Sequence, residues 1–359
     1  MGIQFTEHQW DEVRKSYGSW WNHVAERPLI SVVLQGVDPG RPKPKAPLLN
    51  QSNALDLTFS AEEIVDRMDY ELSRNLYLGD AFPHVNLDSM GPGVLSAFLG
   101  AVPDNSTGSI WFEPQKIRDL KDIHLEYDPE NIWLKRVKDI YRAGNKLWKG
   151  NVIMGMVDLG GVMDVLAVFR STEKLLMDLY DEPDEVKRLI SEIHDLWMHC
   201  YNDLNCILET CSRGYTDWSR VYSEKRSYVI QSDFSFMIGN DMFREFVLEE
   251  IARVTEIIPN TLFHLDGPGE IRHLDDLLKL DNLNAVQWVP GAGAPSQSEW
   301  PDIYQKIHRA GKGIQVWEGF RCVDAVAEQI GTFKGIQQND IVDDLAKKEE
   351  YERMLARYR

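Results

Sequence analysis

The chain has 359 residues and a mass of 41.4 kDa, with 57 acidic against 39 basic residues and a formal net charge of −18. That balance argues against nucleic acid or an anionic membrane as a partner, because phosphate binding needs clustered Lys and Arg. Hydrophobic residues at 43% and charged residues at 27% suit a globular enzyme with a large core. No run of ~18 apolar residues reads as a membrane span, and the opening "MGIQFTEHQW" lacks the basic start of a signal peptide, so a cytoplasmic location is expected.

Along the chain, residues 6 to 26 have the period of an amphipathic helix and lead into the apolar run "PLISVVLQG" and the Pro- and Lys-bearing loop "VDPGRPKPKAPLLNQS". Residues 1–59 are read as a helical and loop extension packed on a body that spans 60–359. A helix from Ser60 to Leu78 opens on Ser60-Ala-Glu-Glu63, a capping box in which each end residue satisfies a backbone N–H of the other. Buried strands are expected at 83–88, 151–159, 215–223, 228–234, 261–267, 284–290, 312–318 and 333–340. Helices are expected near 129–148, 183–212, 240–258, 297–310 and 341–357. This alternation predicts an α/β protein with a parallel sheet covered by helices. Eight strands suit a (β/α)8 TIM barrel, with a doubly wound sheet as the other arrangement.

Polar or aromatic residues recur at the carboxyl ends of these strands: Asp88, Asp158, Trp218, Asp233, His264, Asp266, Trp288 and Glu318. In a barrel those ends share one mouth. His264 and Asp266 stand at i and i+2 on a strand and project to one side. They would serve as two ligands of one divalent metal such as zinc, with Asp233 or Glu318 as a third, or as an acid/base pair. The bland alternative is that Asp266 caps the Gly267-Pro268-Gly269 turn while His264 is a hydrogen-bonded wall residue. Asp158 precedes Gly160 and Gly161, where backbone approaches closely. Trp218, Trp288 and Trp317 are placed to line a substrate pocket. Cys200, Cys206, Cys211 and Cys322 have neither a disulfide-framework spacing nor a standard zinc spacing.

The segments "QSDFSFMIGNDMFREFVLEEI", "HLDGPGEIRHLDDLL" and "NAVQWVPGAGAP" resemble the uroporphyrinogen decarboxylase superfamily of (β/α)8 barrels, which includes methyltransferases that exchange methyl groups with a corrinoid protein. The resemblance spans roughly residues 60 to 340 and is strongest over 228–295. It departs from true decarboxylases in lacking their Arg-rich segment near the N-terminus. It departs from the thiol-activating methyltransferases in reading His264-Leu265-Asp266-Gly267 where those carry His-x-Cys-Gly, with Cys322 as the less favoured counterpart of their later cysteine. The resemblance therefore implies a corrinoid-linked methyltransferase that demethylates a small methoxylated or methylamine substrate. Asp233, His264 and Asp266 would be catalytic or hold zinc together with Glu318. Asp158, Trp218, Gly267, Trp288 and Trp317 would bind substrate, and a partner protein would carry the corrinoid. The alternatives are a metal-independent decarboxylase or lyase of an aromatic or pyrrolic acid, and a barrel that binds a corrinoid or tetrapyrrole without chemistry.

Overall fold

The computed structural model describes residues 2–358. Apolar runs form the strands of one seven-stranded sheet: β1 (Leu29–Gln35), β2 (Asn75–Gly79), β7 (Ser227–Ile230), β8 (Asn260–Asp266), β9 (Ala285–Val289), β10 (Gly313–Val316) and β11 (Ile336–Val342), in the order β2-β1-β11-β10-β9-β8-β7. All neighbours are parallel except β2, which runs antiparallel to β1 at the edge. A separate parallel pair joins β3 (His84–Val85) to β6 (Ile153–Met154), and β4 (Val102–Asp104) with β5 (Trp111–Glu113) forms a hairpin. The protein is thus α/β, with a central, mostly parallel sheet and many helices.

Three of the expected strands are shortened or missing, and the ladder of described residues does not close into a ring. Over 155–159, tyrosine hydroxyls take the place of a strand neighbour. Tyr141 donates to the Gly155 carbonyl (2.8 Å) and accepts the Val157 N–H (2.9 Å), while Tyr228 accepts the Leu159 N–H (2.8 Å). Over 215–223 the Asp217 carboxylate plays that part, accepting the N–H groups of Ser219 (2.9 Å) and Val229 (2.8 Å), and only the bridge between Tyr215 and Ser223 remains. Backbone groups need a partner but not a strand, so an apolar segment with good side-chain acceptors leaves the ladder. A single backbone bond still spans one of the gaps, from Met156 N–H to Thr216 (2.9 Å).

The boundary expected at residue 59 does not separate two bodies. β1 lies inside the sheet, paired with β11. The capping box of Ser60 and Glu63 is present, but its helix stops at Leu72, and residues 75–79 pair with β1 as β2. The first helix, Glu7–Trp21, covers the amino ends of the strands: Trp10, Val13, Tyr17, Trp20 and Trp21 form one cluster with Leu29, Val229, Leu262 and Ala285. Two indole N–H groups fasten it, Trp20 to the Gly335 carbonyl and Trp21 to that of Tyr222, both at 2.8 Å. Trp20 is buried against Gly313, the first residue of β10, where a Cβ would meet its ring at 2.7 Å. Trp20→Ala is therefore expected to lower stability by roughly 3–5 kcal/mol in urea denaturation, as a buried aromatic is removed and its cavity stays open.

Candidate active site

At the opposite, carboxyl end of the sheet lies a cavity of about 370 Å³, lined by Gln51, Asp88, Gly91, Pro92, Asp158, Trp218, Arg220, Gln231, Asp233, His264 and Trp317. Most come from the end of a strand or the loop beyond it, and Trp218 and Arg220 from the 215–223 segment. A concavity of similar size, about 380 Å³, lies beside the first helix, but its Arg27 and Asp80 already satisfy each other through two 2.7 Å contacts.

His264 is oriented from below by a chain of buried amides. Gln315 donates from Nε2 to Gln337 (2.7 Å) and to the Ser219 carbonyl (2.8 Å), and its Oε1 accepts from Gln287 Nε2. A carbonyl only accepts, so Ser219 sets the direction of the whole chain. Gln287 must present Nε2 to Gln315 and Oε1 to His264, and the imidazole must donate from Nδ1. Nε2 is left as the nitrogen that gives or takes a proton.

The carboxyls around the cavity are unusually hard to ionise. Burial pushes Asp158 up to about 7, with the Asp233 charge adding to the effect and the Gly160 N–H at 2.9 Å opposing it. Asp233 is raised as well, by burial and by the Asp266 carboxylate, against the pull of His264. Burial raises Asp88, with Arg220 opposing. Asp88 and Asp233 are both exposed at the cavity, yet protein surrounds them on the other sides, so exposure and poor solvation coexist. Behind them Asp164 accepts the N–H groups of Asp233 (3.1 Å) and Phe234 (2.7 Å) and is raised by burial and by Asp233. Glu270, fully buried, is pushed up to about 10. The desolvation of several close carboxyls, each disfavouring its neighbours' charge, keeps protons on this end of the molecule at neutral pH.

Of the residues singled out in the sequence, the cavity brings together Asp88, Asp158, Trp218, Asp233, His264 and Trp317. The indoles of Trp218 and Trp317 meet edge to face, 6.1 Å apart, and Trp218 stands at 4.9 Å from the His264 ring. The other candidates lie elsewhere. Trp288 alternates with Gln287 and so faces the helices, fully buried against Trp300 at 5.0 Å. Glu318 holds the neighbouring loop, accepting from the Ser296 hydroxyl and, at 3.0 Å, the Gln297 N–H. Cys322 is buried and its thiol is pushed up to about 12 by burial. Gly267, at φ 77°, makes the turn after β8, and the Asp266 N–H bonds Glu270 (3.0 Å). Among the described residues no three His, Cys, Asp or Glu side chains come together to hold a metal ion. Of the donors expected for zinc, Glu318 is bonded to the 296–297 loop and Cys322 is buried. Arg220 and Gln231 escaped the sequence reading. Arg220 carried a signal, a lone cation inside the run "YTDWSRVYS" of an acidic chain, whereas Gln51 carried none.

No protein-family model and no curated protein sequence matches the chain. Among solved structures, a methyltransferase from Methanosarcina mazei is similar, with a TM-score of 0.59 and 12% identity over 96% of this chain and 98% of that one. At that identity the likeness is one of fold, and it extends over nearly the full length of both chains.

The buried carboxyl predicts a pH-dependent stability. Asp158 has a folded value near 7 against an ordinary 3.8, so folding favours its protonated form. Stability is untouched by this group below its ordinary value, falls as pH rises from 3.8 towards about 7, and above that carries the full cost. Asp158→Asn keeps an acceptor for Gly160 and cannot ionise. The variant should exceed the wild type in stability at pH 8 by roughly 2–4 kcal/mol, and by nothing at pH 4, in paired urea titrations.

Proposed function

We propose that the chain is a methyltransferase of the uroporphyrinogen decarboxylase-like barrel type, which takes a methyl group from a small methoxylated or methylamine substrate and passes it to a corrinoid carried by a partner protein. The Met156 N–H bond to Thr216, which ties the segment after β6 to the stretch before β7, supports reading the two sheets as one barrel. The fold shared with a methyltransferase and the sequence resemblance over 228–295 support the reaction class.

The observation that carries the reading is Asp158, an acid held protonated up to about pH 7 in the wall of a small aromatic-sided cavity. Breaking a methyl–oxygen or methyl–nitrogen bond leaves the electron pair on the heteroatom, and a proton delivered there makes it a better leaving group. Asp158 would supply that proton. His264, directed by Gln287, would orient the heteroatom or return the proton to water through Nε2. Trp218 and Trp317 would exclude water from the reacting end. A docked corrinoid would supply the nucleophile that accepts the methyl group. The residues fit such a group at the mouth and not inside it: about 370 Å³ is near the lower end of small-molecule sites, and the exposed indole of Trp317 offers an apolar edge.

The test is anaerobic consumption of cob(I)alamin in the presence of the protein and a panel of methoxybenzoates and methylamines. Turnover should fall as pH rises through about 7, and Asp158→Asn should lose ~10²- to 10⁴-fold. Release of CO2 from an aromatic or pyrrolic acid without loss of Co(I) would replace the reading with decarboxylation. No reaction over the whole panel would sink it.

A further inference from the structure

Arg220 is the cation of the cavity wall, and two features set it apart. Its backbone lies in the left-handed region, at φ 62°, which a long side chain adopts only against a steric cost. The surrounding bonds hold it there. The Arg220 N–H bonds the Asp217 carbonyl (3.0 Å), the Asp217 carboxylate bonds the Ser219 N–H (2.9 Å), and the Ser219 carbonyl accepts from Gln315 (2.8 Å) and Asn339 (3.0 Å). The guanidinium itself makes no hydrogen bond or ion pair with any described residue. Asp88 feels its charge without touching it. A loop pinned in a strained conformation that delivers five unused N–H donors into a cavity is built to meet an acceptor brought from outside.

We infer that the substrate carries a carboxylate, seated on Arg220 at one side of the cavity, with its methyl-bearing end against the corner made by Trp218 and Trp317. The inference rests on the proposed reaction for its methyl group and on Arg220 alone for its anion. Two substrate chemistries share this shape, a methoxylated aromatic acid and an N-methylated amino acid. In the second, the indole faces would also favour the cationic nitrogen. A planar fork suits a carboxylate better than a point charge does, so lysine should replace Arg220 only in part.

Binding measured by calorimetry, without any corrinoid, tests this apart from the reaction. Two probe pairs each exchange a carboxylate for a hydroxymethyl group: 4-methoxybenzoate against 4-methoxybenzyl alcohol, and glycine betaine against choline. At least one carboxylate should bind about ten- to a hundredfold tighter than its partner. That preference should vanish in Arg220→Asn and return in part in Arg220→Lys. Asparagine tolerates the left-handed region, so the melting temperature of Arg220→Asn should equal or exceed that of the wild type, which separates a lost ligand contact from a lost fold. The pair that shows the preference identifies the chemistry. Preference for neither carboxylate, or a preference that survives in Arg220→Asn, overturns the inference. Carboxylate binding through Arg220 with no consumption of cob(I)alamin would leave it standing and remove the methyl-transfer reading instead.

Discussion

A run of side-chain amides crosses the middle of the sheet, and the mouth depends on it. Gln287, Gln315 and Gln337 come from β9, β10 and β11, are each fully buried, and bond to one another in a single direction. The chain ends on His264 at one side, and on Asn339 and the Ser219 carbonyl at the other. Buried amides are costly unless every group is paired, so this layer tolerates one arrangement and rigidly holds what hangs from it. What hangs from it is the ring orientation of His264 and the strained loop that carries Arg220. The two sides of the cavity are thus set by the same interaction.

The molecule is stratified along the direction of its strands. At the amino ends, indoles and aliphatic side chains seal the sheet beneath the first helix. The amide layer follows, and the acids with their aromatic corner occupy the carboxyl ends. A strand crossing all three must change character within a few residues. β8 does so by running Leu262, Phe263, His264, Leu265, Asp266, and β10 by placing Gln315 between Ile314 and Val316. The apolar seal supplies stability that the polar end lacks, since raised carboxyls and a left-handed arginine each weigh against folding.

This stratification explains how far the sequence could be read. Strands β7 to β11 were legible because apolar runs ended in polar residues, and the helix after Ser60 because its capping box announces it. The segments at 151–159 and 215–223 were not, because their apolar content matches a strand while the first bonds the Tyr141 and Tyr228 hydroxyls, remote in sequence, and the second turns on its own Asp217 carboxylate. Strand-end position pointed at Asp158, Asp233 and His264, which the fold gathers around one cavity. It misplaced Trp288, where a shift of one residue moves a side chain to the other face of the sheet. The buried glutamines were invisible as a group, since each is one polar residue in an apolar run until the strands are laid side by side.

The same layering bears on when the acids release their protons. Asp158, Asp233, Asp164 and Glu270 lie close enough that ionising one raises the others, so the cluster retains protons near neutrality that isolated carboxyls would have lost. Water in the open cavity is the one solvent that Asp233 and Asp88 still see. A molecule filling the cavity removes that water, which disfavours the charged forms further and ties the proton to the acids more firmly. A basic atom appearing inside the closed site, such as the oxygen or nitrogen left when a bond to it breaks, then becomes the most accessible acceptor. The poor solvation that makes this end of the protein expensive to fold is what keeps its proton in place until the ligand itself calls for it.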